Sequence, residues 1–493
     1  MDYDSRKGFF VQWKELSDAV PRPNLEAYQN KNSSYSDYTW FSKNIYLSPT
    51  TISSDNVAYS KTVYGGRDVF DSTTVMNCEK VYHAIDSEHC VNCKFISDCK
   101  DCLDSAFLYD CRNSSDCFMS SNLRNKKFIF RNKQLNEDEY RRELSKITYD
   151  RENLARLLSE YLHMRKSVLH KHANIVKCLN SSGNNLFQCK NAVRCFNAES
   201  CEDVKYGVQM ARAKDSHDVF GVGDKEAALL YEGVNVGYLD SNIYFSTNSF
   251  ENCARVQYCD YCRGSQDLFG CIGLRKKQYC ILNKQYDKET YLQLKNKISK
   301  EMSENPYFDS AGNFYKYGEF FPPEFSPFAY NEAMTQFYFP SKEGEFTLSG
   351  CQWAGEKKRE YQPTKHPDEI PQSIKEVSDD ILREVIECKH KGKCGHNCTI
   401  AFKIVPQELQ LYRQMNIPIP ILCPACRNEE RQALRTPIKL WHRECMCDYK
   451  VYQNSSKHSH HPEERCPNEF ETSYAPDRPE IVYCELCYNA EVV

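Results

Sequence analysis

The C-terminal tail of the chain carries two sets of cysteines whose spacing suits a metal ion. The first set is Cys388, Cys394, Cys398, Cys423 and Cys426, and its last two members form a C-x2-C pair. Zinc takes four soft ligands in a tetrahedron, and two short cysteine turns joined by a hairpin supply them. The spacing leaves open which two of the three upstream cysteines join the pair. His396 is a weaker candidate.

The second set of cysteines follows at once and has the same composition. It consists of Cys445, Cys447, Cys466, Cys484 and Cys487, with His458, His460 and His461 in the intervening loop. Again five cysteines compete for four places. We expect about two zinc ions per chain, with structural roles, because a zinc with four protein ligands has no open position for a substrate.

A row of arginines lies between the two cysteine sets. Arg427, Arg431 and Arg435 recur at steps of four, so a helix after Cys426 would place them on one face, an arrangement suited to phosphates. The neighbouring Glu429 and Glu430 could pair with them instead. The pattern therefore indicates either a nucleic-acid contact or a salt-bridged surface.

The elements that carry this tail are repeats. Cys253, Cys262, Cys271 and Cys280 follow one another at steps of nine, and the segment Leu274 to Gln285 matches Leu123 to Gln134 at an offset of 151 (274 − 123). Two further columns at steps of nine are Val75, Ala84, Cys93, Cys102 and Cys111, and Ser72, Val81, Cys90, Cys99, Leu108 and Cys117. Short strands joined by polar turns fit this pattern, and two steps would make an eighteen-residue rung of a β-solenoid.

The cysteines of these columns have two interpretations. They are favoured as small, inward-facing side chains, because free cysteine is among the most buried residue types. A metal or redox site built from Cys90-x2-Cys93 and Cys99-x2-Cys102 is the alternative, although only five residues separate the pairs. A thiol or metal store is a third possibility.

Helical patterns follow each copy of the repeat. Asn136 and Glu139 have the spacing of a capping box, and the helical pattern continues, with a break, to about 171. Asp287 caps a second helix with Tyr291, Leu294, Ile298 and Met302 on one stripe, and an aromatic, proline-rich segment at Tyr317–Glu332 suits a wrap over the core. The predicted fold is mainly β, with duplicated β-solenoid-like units, inserted or capping helices, and C-terminal treble-clef or zinc-ribbon modules.

The predicted domain boundaries follow from these patterns. They are an N-terminal cap at 1–55, repeat unit 1 with a helical insertion at 56–177, repeat unit 2 with a helix and the aromatic wrap at 178–350, a linker at 351–383, zinc module 1 at 384–440 and zinc module 2 at 441–493.

Composition narrows the class of protein. The chain has 493 residues and 27 cysteines. Its formal charge of −4 is small for this length, so the net charge does not indicate a nucleic-acid or membrane partner. The N-terminus has acidic residues from the start, so we do not expect a secretory signal, and no apolar run is long enough to cross a membrane. We expect a cytoplasmic, reduced protein whose cysteines are metal ligands or buried thiols.

The tail resembles the probable-zinc-binding treble-clef family. In that family a cysteine knuckle precedes an F-x-I hairpin, an E-L-x-x-Y helix and a P-x-x-C-P-x-C-R stretch, which stand here at Phe402–Ile404, Glu408–Tyr412 and Pro420–Arg427. With its NKQY, YGEFFP and YCELCY stretches, the whole chain is similar to uncharacterised cysteine-rich proteins of candidate-phylum bacteria. The resemblance implies zinc binding, and the extra cysteines at 388–398 and 445–447 depart from the shorter tail form.

These features favour a non-enzymatic binding or scaffold protein. It would dock through its zinc modules on RNA, DNA or a nucleoprotein such as the ribosome, or on a protein alone. An enzyme with a site on the repeats is the alternative, but the chain has no GxxxxGK[ST], GxGxxG, HExxH or GxSxG motif. The oligomeric state is not indicated by the sequence.

Overall fold

The fold is described from a computed structural model. It covers residues 1–201, 209–211, 213–214, 221–222, 227–228, 253–344, 350–355, 361–395, 397–452, 454–461 and 464–493, with side chains described outside 202–252. The candidate ligand His396 lies outside the described residues, as does part of the second repeat copy.

The described chain is mostly β, and its largest sheet has 15 strands that pair in parallel except at the last pair. Each parallel partner lies 12 residues further along the chain, as in Lys43↔Asp55, Asp55↔Arg67 and Glu79↔Val91. The strands are Ala27–Tyr28 (β1), Lys31–Ser34 (β2), Thr39–Trp40 (β3), Lys43–Tyr46 (β4), Thr51–Ile52 (β5), Asp55–Ala58 (β6), Lys61–Tyr64 (β7), Arg67–Phe70 (β8), Thr73–Met76 (β9), Glu79–Glu88 (β10), Val91–Ser97 (β11), Ala106–Tyr109 (β12), Ser115–Ser121 (β13), Lys127–Phe130 (β14) and Lys133–Gln134 (β15).

A three-residue rhythm in the backbone produces the 12-residue unit. Every third residue from Gln29 to Arg131 is left-handed, with φ between 45° and 63°. Asn and Asp occupy many of these positions, and they tolerate this conformation better than other side chains with a Cβ. The chain therefore turns after each triplet, and four triplets bring it back above its starting point.

The residue after each left-handed position points inward. Every third residue from Ser36 to Ser120 is buried, and all of them are small or aliphatic. Serine and cysteine at these sites accept a hydrogen bond from the backbone N–H group 12 residues later, as Ser60 N does to Ser48 Oγ at 3.1 Å and Cys90 N to Cys78 Sγ at 3.4 Å. The interior is thus lined by side chains that satisfy backbone donors.

The columns at steps of nine follow from this three-residue periodicity. The predicted eighteen-residue rung is wrong, because the strands pair at an offset of 12. All members of the columns belong to the single inward set, because nine is three triplets. Residues stack at 12, so Cys78, Cys90 and Cys102 lie above one another. The thiol of Cys93 points across the unit to the carbonyl oxygen of Cys102, at 3.5 Å. The cysteines of the first copy are buried, in agreement with their interpretation as inward-facing side chains.

The second copy repeats this architecture from Ala254 onward, whereas its first strand pair, Ile175–Val176 with Gly183–Phe187, is offset by 11. Strands Ala254–Gln257 (β24), Gln266–Phe269 (β25) and Gln278–Ile281 (β26) pair at an offset of 12, and Lys284–Gln285 (β27) turns back antiparallel like β15. The other strands of this region are Leu169–Lys171 (β16), Ile175–Val176 (β17), Gly183–Phe187 (β18), Cys195–Glu199 (β19), Gln209–Ala211 (β20), Ala213–Lys214 (β21), Gly221–Val222 (β22), Ala227–Ala228 (β23), Tyr307–Phe308 (β28) and Phe314–Tyr315 (β29).

Helices cover the walls of the repeats. The described residues contain Phe9–Ala19 (α1), Glu137–Ser145 (α2), Arg151–Ser167 (α3), Lys288–Glu304 (α4), Met334–Tyr338 (α5), Pro406–Met415 (α6), Pro424–Gln432 (α7) and Glu485–Val492 (α8). The capping box at Asn136 and Glu139 and the cap at Asp287 are confirmed. None of these helices has the length and apolar composition needed to cross a bilayer.

The N-terminal segment 1–55, which was predicted to be a cap, contains helix α1 and the first strands of the large sheet. The sheet already begins at Ala27, inside the 1–55 segment. Helix α1 packs on the second copy, where Trp13 Nε1 donates to the Tyr258 carbonyl oxygen at 2.9 Å. The aromatic segment closes over it, with the ring centroids of Trp13 and Phe321 4.4 Å apart.

The tail folds as two small units that lie against the first sheet. Ile386–Glu387 (β30) and Ala401–Phe402 (β31) form a hairpin before α6 and α7, and Trp441–Glu444 (β32) pairs with Glu469–Thr472 (β33). Ile481–Tyr483 (β34) pairs in parallel with β16, which directly follows α3. The tail is therefore joined to the repeats by a strand pair as well as by side chains.

The triplet rhythm predicts opposite effects for two leucines of the same sheet. Leu108 is inward and fully buried, whereas Leu103 is 44% exposed. We expect Leu108→Ala to lower the free energy of unfolding by about 2–5 kcal/mol and Leu103→Ala to change it by less than about 0.5 kcal/mol. Urea unfolding of both variants checks this. Equal losses would contradict the inward register.

Candidate metal centres

The first tail unit brings four cysteine sulfurs together in a closed group. Cys388 follows β30, Cys398 precedes β31, Cys423 caps α7 and Cys426 lies in its first turn, and their sulfur atoms all lie within 4.8 Å of one another. The Cys388–Cys426 and Cys398–Cys423 sulfur pairs are each 3.9 Å apart. Zinc–sulfur bonds of about 2.3 Å in a tetrahedron give sulfur–sulfur edges of about 3.8 Å. The group can therefore hold a metal ion.

Backbone donors point at these sulfurs. The N–H groups of Cys423 and Ile400 donate to Cys388 Sγ and Cys398 Sγ, at 3.3 and 3.4 Å. A side-chain hydrogen bond with Cys388 lowers the pKa of the Cys423 thiol. Donors to sulfur stabilise the thiolate form, which is the form that binds a metal.

The fifth cysteine of this set takes a different position. Cys394 Sγ lies 3.6 Å from Cys426 Sγ and forms a second, three-member group with His390 and Cys426. Cys388 and Cys398 are thus the upstream cysteines of the four-sulfur group, a choice that their spacing alone had left open.

The second tail unit contains a matching group of four sulfurs. Cys445 follows β32, Cys466 precedes β33, and Cys484 and Cys487 lie at the start of α8 after β34. The sulfurs of Cys466 and Cys484 are 3.9 Å apart, and the Cys484 N–H group donates to Cys445 Sγ at 3.1 Å. All four cysteines are buried.

Histidines of the intervening loop also reach this centre. Cys447 lies outside the four-sulfur group and joins His458, His461 and Cys487 in a neighbouring one. The sequence indicates these histidines only as residues of the loop. The KHSHH run at 457–461 is the feature that could have marked them as metal ligands. Their approach to the cysteines depends on how the loop folds back over α8.

Of the two interpretations of the arginine row, the structure does not support the nucleic-acid contact. Arg427 and Arg431 are 6% and 0% exposed, and Arg435 forms an ion pair with Asp86 at 2.9 Å. Helix α7 does place the first two on one face, but that face lies against the sheet. The salt-bridged alternative describes these residues, with partners that are distant in sequence.

Arg427 and Arg431 form a buried network with two carboxylates. Arg431 Nη1 donates to Asp71 Oδ1 at 2.8 Å and Nη2 to the Tyr59 carbonyl oxygen at 2.9 Å. Arg427 pairs with the other oxygen of Asp71 and with Glu408 Oε1 at 3.2 Å. Burial raises the pKa of Glu408, although the charge of Arg427 opposes the shift. Two cations and two anions thus balance inside the interface.

A column of acidic residues on the sheet receives a contact from each tail unit. Asp86, Asp98 and Asp110 are left-handed residues spaced at 12, so they stack. Arg435 pairs with Asp86, while Tyr488 of α8 hydrogen-bonds to Asp110. Both tail units are therefore anchored on one column.

The middle carboxyl of this column lines a cavity between the sheet, α3 and the tail. The cavity has a volume of about 280 Å³, and Asp98, Arg165 and His170 lie on its wall. Burial, followed by the negative charge of Asp86, raises the pKa of Asp98 to about 7. A carboxyl of this kind can hold or release a proton near neutral pH.

Comparison with known proteins identifies no relative of this chain: no protein-family model, no curated protein and no solved structure matches it.

The buried arginine network predicts a large stability loss on its disruption. We expect Arg431→Met to lower the free energy of unfolding by about 3–5 kcal/mol, because it leaves the Asp71 charge buried without this partner. Arg67→Met is the matched control, since Arg67 is 66% exposed and pairs with Glu79 at 3.6 Å on the same sheet. It should cost less than about 1 kcal/mol. Urea denaturation measures both, and a tolerated Arg431→Met would refute the anchoring role.

The raised pKa of Asp98 predicts that replacing this carboxyl with a neutral side chain stabilises the fold at high pH but not at low pH. Its stabilising contribution is present below the ordinary value of 3.8 and is lost as the pH rises through about 7. Asp98→Asn, which keeps a side chain suited to φ 53°, should therefore match the wild type near pH 4 and exceed its stability at pH 8 by about 1–4 kcal/mol. Asp101→Asn, at φ 54° with a side chain 49% exposed, is the control. The free energy of unfolding of each protein is measured at pH 4 and pH 8. A difference between Asp98→Asn and the wild type that is equal at the two pH values would rule out this ionisation.

Proposed function

We propose that this protein is a non-enzymatic, zinc-binding scaffold in which the 12-residue units form a duplicated β-solenoid and the tail forms two zinc modules. The observation that carries the proposal is the pair of closed four-cysteine groups at Cys388, Cys398, Cys423 and Cys426 and at Cys445, Cys466, Cys484 and Cys487.

Zinc is the metal that these donor sets suit. Four thiolates in a tetrahedron suit zinc or an iron–sulfur centre, and zinc is the usual ion of small hairpin-and-helix modules with cysteine knuckles. The order of hairpin, helix α6 and cysteine-bearing helix α7 is compatible with a treble clef. Because the thiolates must stay reduced to bind metal, we also propose a reducing, cytoplasmic location.

The scaffold role is supported by where the metal groups lie. Each group uses all its cysteines as ligands, so an ion bound there would have four protein ligands and would stabilise the fold. Both units lie against the sheet through ion pairs and a strand pair. The metal would hold each tail unit in the shape that packs against the sheet.

A protein partner is the form of binding function that we propose. Docking on RNA, DNA or a nucleoprotein was expected through the zinc modules, with Arg427, Arg431 and Arg435 as the phosphate-binding side chains, and these side chains pair with carboxylates. The hypothesis of nucleic-acid docking therefore loses the side chains that would have contacted phosphates.

An enzyme with its site on the sheet is a second candidate function, and the cavity at Asp98 favours it. A carboxyl with a pKa of about 7 suits a general acid or base. Any turnover found with the wild type must then disappear in the folded Asp98→Asn variant.

The zinc proposal is tested by metal content. Protein purified under reducing conditions should contain at least one zinc ion per tail unit, and Cys423→Ser should lose one ion per chain. Cys111→Ser is the matched control, because Cys111 is a buried thiol of the sheet and serine fills equivalent inward positions such as Ser114. Elemental analysis by mass spectrometry measures the ions. Protein that is folded without metal, and that takes up none on addition of zinc, would refute the proposal.

A further inference from the structure

The second tail unit contains more ligand atoms than one tetrahedral ion can use. Besides the four-sulfur group, Cys447, His458 and His461 form a second group with Cys487, and all of these side chains are buried. A third group, His460, His461, Cys466 and Cys487, overlaps both. The first two groups share Cys487. Two tetrahedra that share one corner have seven corners, and these two groups supply seven ligand residues.

The distances within the second group match those of a metal site. Cys447 Sγ lies 3.4 Å from His458 Nδ1, which is 3.1 Å from His461 Nε2, and that nitrogen is 3.0 Å from Cys487 Sγ. Zinc bonds of about 2.0–2.1 Å to nitrogen and 2.3 Å to sulfur give tetrahedral edges of about 3.3–3.6 Å. The observed edges are shorter than these by about 0.1–0.6 Å, as in a group of ligand atoms drawn together without an ion between them.

The outer hydrogen bonds of the two histidines decide which ring nitrogens are free to bind. His458 Nε2 lies 2.8 Å from Glu491 Oε1, and His461 Nδ1 lies 2.9 Å from the Glu464 carbonyl oxygen. Both partners only accept hydrogen bonds, so these nitrogens carry the hydrogens. In neutral rings, His458 Nδ1 and His461 Nε2 then face each other with lone pairs at 3.1 Å. Each of these nitrogens also has a thiol within reach, that of Cys447 at 3.4 Å and that of Cys487 at 3.0 Å. A cation at the centre of the four atoms would bind both nitrogens and both sulfurs and remove the repulsion between the lone pairs.

This arrangement of partners is the one that metal-bound histidines have. A ligating histidine donates its second N–H group to a carboxylate or a backbone carbonyl, which fixes the ring and its tautomer. Glu491 is itself held by Ser455, whose N–H and hydroxyl groups donate to it at 2.7 and 2.6 Å. The carboxylate is therefore positioned independently of His458.

We propose that the second tail unit binds two divalent metal ions bridged by the Cys487 thiolate. One ion is held by Cys445, Cys466, Cys484 and Cys487, and the other by Cys447, His458, His461 and Cys487. The proposal rests on the zinc-binding function above and adds a third ion per chain. On binding, the thiols release their protons to solvent and no electron is transferred.

The charge balance favours the second ion. A single divalent ion among four thiolates leaves an excess negative charge in a buried site beside the carboxylate of Glu491. A second ion adds two positive charges and requires only one more thiolate, that of Cys447. The pair of ions thus leaves the centre one unit less negative, which lowers the cost of burying it.

His460 provides a control within the same loop. Its Nε2 lies 3.3 Å from Cys487 Sγ and 3.5 Å from Cys466 Sγ, and its side chain is partly exposed. In the proposed centre this nitrogen donates a hydrogen bond to the sulfurs and is not a ligand. Its removal should leave both ions in place.

Metal content of the full chain, loaded with zinc under reducing conditions, tests the proposal. We expect three ions per chain for the wild type and for His460→Ala, and two for His458→Ala and for Cys447→Ser. Two ions in the wild type, with no loss on His458→Ala, would overturn the bridged centre but leave the zinc-binding function standing, and they would mean that a proton occupies the gap between the histidines. No bound metal at all would refute the zinc-binding function itself.

The bridge is tested on the wild type alone, so the result does not depend on whether a variant folds. In protein loaded with ¹¹³Cd, two cadmium resonances should be split by coupling to each other through the Cys487 sulfur, and a third should be a single line. Three uncoupled resonances, or only two resonances, would refute the shared thiolate.

Discussion

The structure depends on how the backbone donors inside each 12-residue unit are satisfied. A left-handed residue at every third position turns the chain, and the next residue places its N–H group in the interior. Serine and cysteine 12 residues earlier accept these donors at about 3.0–3.4 Å. A larger or nonpolar side chain at such a site would leave a buried donor without a partner, which costs free energy. This requirement explains why serine and cysteine recur at those inward sites, while valine, isoleucine and leucine occupy other inward sites.

The same 12-residue stacking creates the surface that receives the tail. Corner residues repeat in columns, so the carboxyls of Asp86, Asp98 and Asp110 lie one above another. Arg435 from the first tail unit and Tyr488 from the second meet the outer two carboxyls, and the middle one faces the cavity. Each tail unit is small, and the buried apolar residues of the first, such as Ile404, Leu409 and Ile417, belong to one cluster with those of the repeats. On the zinc-binding proposal, the cysteine groups would add to this packing by holding the shape of each unit.

Local patterns were sufficient for some of these features. The cysteine sets, the caps at Asn136 and Asp287 and the duplication at offset 151 all follow from residues that are close in sequence or repeated. The repeat length was misjudged because steps of nine and of 12 are both multiples of the triplet, and cysteines happen to mark the former. The register of the strand pairs, which is 12, distinguishes the two steps.

Other features depended on contacts that no local pattern contains. Arg427 and Arg431 lie on one helical face, as predicted, but Asp71 is more than 350 residues away in the chain. The choice between Cys394 and Cys398 depends on how the β30–β31 hairpin closes, and the approach of His458 and His461 to Cys487 on how their loop packs on α8. These are tertiary facts, and spacing could only narrow the candidates.

X-ray absorption spectroscopy at the zinc edge of the full-length protein tests the central claim most directly. If the tail holds zinc in closed, cysteine-rich sites, the first shell should be mainly sulfur at about 2.3 Å, with a minor nitrogen contribution at about 2.0–2.1 Å. A first shell dominated by nitrogen or oxygen would contradict the account, because it would place the metal outside the four-cysteine groups.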